Sequence, residues 1–296
     1  MSAQNLTHDA LTHDPIASAS RRPVRRLLRS VPGVIGLALM IIIVVLSIMS
    51  WLGLTPYDPI GQDAPSRLQP PSAAHLFGTD QFGRDVFSRV AAGLANSLLI
   101  AVVAVFFATV VGTLAGLIGG YFRGVPDAAT GGVANVLFAF PPLLLALTLA
   151  SVLDRNWFTV AIAIAVVYVP IFYRVSRGPV LSLREREFVQ AAVSTGQNPW
   201  ATMLVHVLPN ITALIIVQVA LSLSWAVLTE AALSFLGLGT PPPAASLGSM
   251  IFEAKNIVVV APWTLLAPGA MVVVLVAALN LLGDGLTDAL DVGGKD

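Results

Sequence analysis

Cysteine is absent from the 296-residue chain, which excludes disulfides, thiolate metal sites and a cysteine nucleophile. Charge is scarce too. Only 11% of residues are Asp, Glu, Lys or Arg while 56% are hydrophobic; a soluble domain carries roughly 25% charged residues, so this is an integral membrane protein. Sixteen basic residues balance sixteen acidic ones, a net charge that argues against a nucleic-acid partner. The four histidines (His8, His13, His75, His206) are scattered, and no pair has metal-ligand spacing. No Gly-x-x-x-x-Gly-Lys-Ser/Thr phosphate loop occurs anywhere. The chain therefore has no means to hydrolyse ATP, and any nucleotide-driven work falls to separate polypeptides.

What is present is a series of uncharged runs, each long enough to cross ~30 Å of hydrocarbon in about 20 residues. They place spans at about 33–54, 97–119, 132–153, 157–173, 210–235 and 263–283. The first is longer than the apolar stretch of a cleavable signal and has no small-residue cleavage site, so it reads as a retained span. The uncharged run 231–252 reads as a loop, because Pro241-Pro242-Pro243 and nearby glycines and serines interrupt it. The expectation is an all-α membrane protein of six helices over residues 31–291. Residues 1–30 form a largely disordered tail and 292–296 a short C-terminal tail.

The placement of Arg and Lys gives the orientation. With the N-terminus cytoplasmic, eleven of the sixteen lie inside: Arg21, Arg22, Arg25, Arg26, Arg29, Arg123, Arg174, Arg177, Arg184, Arg186 and Lys295. Arg67, Arg84, Arg89, Arg155 and Lys255 lie outside. Both termini are then cytoplasmic, and so is the polar interlude 184–210.

That interlude, REREFVQAAVSTGQNPWATMLVHVLPN, has an internal order. It reads as a helix over about 183–195, a turn at Gly196–Pro199 and a second helix over about 200–207. Glu185 and Glu187 stand near the first helix's start, where the dipole favours acids. Ala191, Ala192 and Thr195 share a narrow face that lets another surface approach closely, and Leu204 and Val207 offer apolar contact to the spans. From residues alone, a docking element and a plain connecting hairpin both fit.

The spacing resembles the cytoplasmic coupling signature of binding-protein-dependent ABC importer permeases: Glu-Ala-Ala, three residues, Gly, nine residues, Ile-x-Leu-Pro. Here it runs Gln190-Ala191-Ala192, Gly196, then His206-Val207-Leu208-Pro209. Gln190 stands in place of the motif acid, with Glu187 one turn upstream, and His206 in place of the isoleucine. Three more stretches resemble the dipeptide/oligopeptide/nickel class and its C-type subunit. They are Phe77–Asp80 with Gly83–Val86 and Ser88-Arg89, then Glu230–Gly239 with Pro241-Pro242, and Leu281–Asp291. The resemblance covers roughly residues 30–291.

The resemblance implies a type I importer permease fold and a non-catalytic subunit of the bacterial cytoplasmic membrane. It further implies a second, homologous permease and two cytoplasmic ATP-binding subunits docked on Glu187, Gln190, Ala191, Ala192, Gly196, Leu208 and Pro209. A substrate-binding protein would deliver ligand from outside. No cofactor is expected on this chain, since ATP and magnesium would sit on the partner ATPases, and lipid is its other neighbour. Di- or oligopeptides are the implied cargo; nickel, opines, glutathione and oligosaccharides use similar machinery. An ATP-independent secondary transporter is the competing class, but it needs buried ionisable groups, and only Glu230 qualifies, near the external end of its span.

Glu230 reads either as a gate or as a structural carboxylate bonded to the amides of the Gly/Pro loop. Asp80, Arg84, Asp85 and Arg89 either meet the external binding protein or pair internally, the reading that glycines at 78 and 83 favour. Asp284, Asp288 and Asp291 share one helical face as a solvated surface or a conceivable metal site. Asn96, Asn135, Gln218, Ser222, Ser224 and Asn280 are candidates for the pathway or for interhelical bonds.

Overall fold

The computed structural model describes residues 26–290. The expected N-terminal tail up to residue 25, with Arg21, Arg22 and Arg25, lies outside the described residues, as do Asp291 and Lys295. Among the described residues the fold is all helical, with one isolated bridge between Thr79 and Asp85 and no strand.

The first span helix among the described residues, α1 (Val31–Trp51), starts at Ser30, whose hydroxyl accepts from the Gly33 amide at 3.2 Å. A long loop leads to α2 (Val86–Phe122), which begins eleven residues before the expected Ser97. Next come α3 (Gly124–Phe138) and α4 (Pro142–Val152), bent by 93° at a three-residue break. Thus the expected span at 132–153 is a broken one. Pro142 opens α4, where its missing N–H costs no helical bond, and Pro141 excludes helical geometry for the residue before it.

Helix α5 (Trp157–Leu183) starts in a capping box of Asn156 and Thr159 and passes through Pro170 and Pro179 without stopping. It runs ten residues beyond the expected end at Tyr173. Arg174 and Arg177 therefore belong to the helix and not, as expected, to the loop after it.

The polar interlude forms α6 (Glu187–Ser194) and α7 (Pro199–Thr202), followed by a π-helical turn, Met203–Val207, that runs straight into α8 (Leu208–Phe235). Two expectations are corrected here. Residues 184–186 are a turn, so the first helix begins at Glu187 and not at 183. The second helix does not end before the fifth span, because Pro199–Phe235 is continuous over 37 residues. The π turn explains that continuity. Pro209 cannot donate to residue 205, and its ring would strike that carbonyl. Bonding Leu208 N to Met203 O, five residues back, widens the helix ahead of the proline.

Within the expected 231–252 loop a short helix, α9 (Leu247–Ala254), is capped by Ser246. The last helix, α10 (Trp263–Leu290), completes the set. Helices α1, α2, α5, α10 and the Pro199–Phe235 helix are long and apolar enough to cross a membrane, and the bent α3–α4 pair is a sixth candidate.

The α2–α5 pair is the most extensive packing in the molecule. Gly112, Gly116 and Gly120 recur every four residues along the α2 face that meets α5. A methyl group at these positions would fall 2.5 Å from Val169 O, 2.8 Å from Ser176 Cβ and 2.8 Å from Val180 Cγ1. Without side chains the two backbones close up, which is how helices associate where hydrophobic exclusion from water is unavailable. The main core lies around this pair, with Leu94, Ile100, Ala104, Ile164, Phe172, Leu233 and Leu275 buried. A second cluster forms at the end of the bundle where α6 sits: Leu117, Tyr121, Val180, Val189, Met203, Val207, Ile211 and Ile215.

Candidate coupling element and the opposite cap

The hairpin of α6 and α7 hangs on that second cluster by few points. Val189 is the one buried residue of α6, and Met203 and Val207 are buried on the following turn. Leu204, expected to pack on the spans, is instead 52% exposed, because the π turn carries it to the outer side. Arg184 anchors the hairpin's first strut, with Nη1 donating to Tyr121 O at 2.6 Å, one of the free carbonyls at the end of α2. Glu185 pairs with Arg123 at 2.6 Å on the exposed surface, a contact worth little by itself.

The turn is fixed by backbone geometry. Gly196 has φ +81°. Its amide donates to Val193 O at 3.0 Å, and the Gln197 amide donates to Ala192 O at 3.1 Å. This is a Schellman cap, whose left-handed residue is most easily glycine. Asn198 then caps α7, its side-chain oxygen accepting from Trp200 N at 2.8 Å.

The two departures from the resembled motif both make bonds within the hairpin. Gln190 Nε2 donates to Arg184 O at 2.8 Å, a bond that a glutamate, having no donor, cannot make. His206 Nε2 lies 3.0 Å from Gln197 Oε1, tying the π turn back to the hairpin's tip. Glu187, Gln190, Ala191 and Gly196 are exposed and Ala192 is half-buried, while Leu208 and Pro209 begin α8. Beside them stand apolar residues that the sequence reading passed over: Phe188, Val193, Trp200 and Val205, all exposed. Apolar letters in a loop read as polar were the available signal.

Residue 230 lies roughly 30 Å along the helix from Pro209, at the other end of the bundle. Glu230 is fully buried. Its Oε1 accepts from Ser234 at 2.6 Å and its Oε2 from Ser97 at 2.7 Å. The expected bonds to loop amides are absent; the loop is held through hydroxyls, with Ser246 Oγ donating to Ser234 Oγ at 3.1 Å. Protein surrounds Glu230, so in this conformation it lines no open path.

Asp80, Arg84, Asp85 and Arg89 are buried as well, and they pair internally. Asp80 accepts from Arg84 Nε at 2.6 Å and from the Phe82 and Arg84 amides. Asp85 caps α2 through the Ser88 amide and hydroxyl, both at 2.8 Å, and meets His75 Nδ1 at 2.9 Å. Glu253 on α9 closes the cluster, at 2.5 Å from Arg84 and 3.1 Å from Arg89. Nothing local in the sequence marks Glu253 as the partner of residues more than 160 positions earlier. Gly78 and Gly83 make the tight turns, with φ +70° and +76°.

The remaining candidates separate cleanly. Asn96 donates to Ala245 O at 2.6 Å and Gln218 to Ser222 Oγ at 3.1 Å, as interhelical or local bonds, whereas Ser224 Oγ is buried without a partner. Asp284 and Asp288 are exposed, and no cluster of three metal-ligating side chains occurs among the described residues.

A helical membrane bundle with one broken span and a capped hairpin at one end is the architecture of an importer permease. Residues 108–293 match the family of binding-protein-dependent transport system inner membrane components, and residues 18–71 match the N-terminal transmembrane domain of oligopeptide transport permease C. The chain is 40% identical over 271 residues to the dipeptide transport system permease protein DppC of Alkalihalophilus pseudofirmus, covering 92% of this chain and 89% of that one. It is 37% identical to a probable D,D-dipeptide transport permease of Escherichia coli, covering 91% of each, and 37% identical to a glutathione transport permease of Pectobacterium atrosepticum, covering 84% of each. In fold it resembles the inward-facing methionine transporter MetNI, with TM-score 0.56 at 18% identity, covering 68% of this chain and 96% of that one. The chain belongs to the family of binding-protein-dependent inner membrane permeases and is a multi-pass permease subunit of a bacterial ABC importer.

Proposed function

We propose that this chain forms half of the translocation pathway of an ATP-driven importer for di- or oligopeptides, beside a second, homologous permease. Two cytoplasmic ATPases dock on the α6–α7 hairpin, and a binding protein delivers peptide at the Glu230 end. Both termini are then cytoplasmic, and ATP and magnesium stay on the partner subunits. The observation that carries this reading is the hairpin itself. It is capped on both sides of its Gly196 turn, yet it buries a single side chain of α6 and leaves Phe188, Val193 and Trp200 open to a partner. An element that merely linked two spans has no use for exposed aromatic residues, which are characteristic anchors of protein interfaces.

Closure of the ATPase dimer would move the hairpin, and the continuous Pro199–Phe235 helix would carry that motion toward the Glu230 end. Placing charge on the contact face, as in Ala192→Glu or Trp200→Asp, leaves insertion and thermal stability unchanged. The same variants lower peptide uptake by proteoliposomes of the assembled complex at least ten-fold. Normal uptake by both would sink the coupling role. Peptide cargo is supported by the names of the dipeptide and D,D-dipeptide relatives, and ligand screening of the cognate binding protein tests it.

A further inference from the structure

Arg174 and Arg177 stand almost one turn apart on α5 and both reach toward α3, but only one of them is neutralised. Arg177 donates from Nε to Asp127 Oδ1 at 2.5 Å and from Nη2 to Oδ2 at 2.6 Å, and the Tyr173 hydroxyl adds a third bond at 3.1 Å. Arg174 has no carboxylate within ion-pair distance among the described residues. Its guanidinium sits 3.7 Å over the Phe138 ring, and Nη2 is 3.4 Å from Asn135 Oδ1.

Both arginines border an open crevice of about 520 Å³ between α3 and α5, whose remaining walls include the bare backbone of Gly131, Gly132 and Gly178. Arg174 is exposed and stands roughly 25 Å along α5 from Trp157, near the hairpin-side end of the ~30 Å that a span passes through in hydrocarbon. An arginine there must meet water, protein or an anion.

The surroundings decide which of these it meets. The groove on the side of α3 that faces α2 is lined by Val111, Ala115, Val133 and Leu137, a surface fit for acyl chains. The Arg174 side is polar and glycine-lined, which hydrocarbon does not solvate. Just beyond it α3 stops at Phe138 and the chain turns through 93°. Discontinuous helices of this kind surround substrate sites in secondary transporters. An unpaired guanidinium matches a carboxylate, two N–H donors to two oxygens.

We propose that Arg174 is a specificity-determining residue that meets the free carboxylate of the ligand in the α3–α5 crevice during translocation. This rests on the peptide reading above.

The test uses the full complex with its binding protein in proteoliposomes. Uptake of alanyl-alanine and of its C-terminal amide is compared, each supplied at a concentration that saturates the binding protein. Arg174→Gln lowers uptake of the free acid about ten-fold and leaves the amide within two-fold of wild type, with binding-protein-stimulated ATP hydrolysis unchanged. Arg174→Lys, which keeps the charge, retains acid uptake within about three-fold. Equal loss of acid and amide, as a contact with lipid or the second permease would give, overturns the proposal. Failure of both variants to assemble overturns it likewise in favour of a structural role, as does unchanged acid uptake in Arg174→Gln. A wild-type complex that carries neither ligand refutes the peptide reading itself, and this proposal with it.

Discussion

At the cap end of the bundle four charged side chains, Asp80, Arg84, Arg89 and Glu253, are drawn from a loop, α2 and α9 into one neutral cluster, with Arg89 only 1% exposed. At the hairpin end the charged residues face outward and most bonds run between near neighbours, with Arg184 to Tyr121 O and Glu185 to Arg123 as the distant ties. Phe188, Val193 and Trp200 are exposed there beside the polar groups. The first arrangement binds distant segments into a single position. The second keeps one short element internally firm and only lightly attached. Under the proposed function, in which ATPases push the hairpin and the opposite end receives cargo, the subunit needs this asymmetry. The pushed element must keep its shape while moving, and the receiving end must keep three segments in register.

The sharpest way to break the cap is to remove its most buried charge. Arg89→Ala leaves Glu253 and Asp80 sharing the single cation Arg84, and stripping one partner from a buried ion cluster typically costs 3–5 kcal/mol. The expected result is a large drop in the melting temperature of the detergent-solubilised protein, with poor membrane yield. Glu253→Gln, which retains a hydrogen-bond acceptor, should lose less. Equal stability of Arg89→Ala and wild type would mean that the cluster does not hold the cap.

Glycine turns at the two ends give a matched pair of smaller effects. Gly83 and Gly196 have nearly the same backbone, φ +76° and +81°. A methyl group on Gly83 would lie 1.8 Å from Asp63 O, whereas nothing stands within 4 Å of one on Gly196. Gly83→Ala therefore combines left-handed strain with a backbone collision, roughly 3 kcal/mol or more. Gly196→Ala carries the strain alone, about 1–2 kcal/mol, and confines it to the hairpin. Thermal melting of the two variants side by side checks the order, and a reversal would show that the hairpin is held as tightly as the cap.

The sequence made one half of this comparison far more legible than the other. The hairpin is local. Its glycine, its proline and the small residues between them lie within 27 positions, and turn chemistry reads directly from such spacing. Its details slipped where propensity gave way to context: the π turn that absorbs Pro209, and the turn at 184–186 that delays α6. The cap depends on pairing over long separations, and there the rule that charge marks the end of a span misled. Arg89 lies inside α2 because Glu253 neutralises it, and Arg177 lies inside α5 because Asp127 does. No window of sequence contains both members of either pair. The break in the third span was visible as Pro141-Pro142, but the 93° bend was not, because its direction is set by what the two halves pack against.

The smallest effect concerns the residue at which this hairpin departs from the motif it resembles. Gln190→Glu restores the motif's acid and deletes the donor that now reaches Arg184 O. One hydrogen bond of this kind is worth about 1 kcal/mol. Because α6 lends only Val189 to the core, that loss should stay within the element and not enter the global unfolding energy. Hydrogen exchange is the suitable measurement: amides of Glu187–Ser194 should exchange about five-fold faster, while the melting temperature stays where it is. Unchanged exchange would mean that Gln190 does not secure the hairpin. A fall in melting temperature would mean that the hairpin is coupled to the bundle more strongly than its single buried side chain implies, and the contrast between the two ends would narrow accordingly.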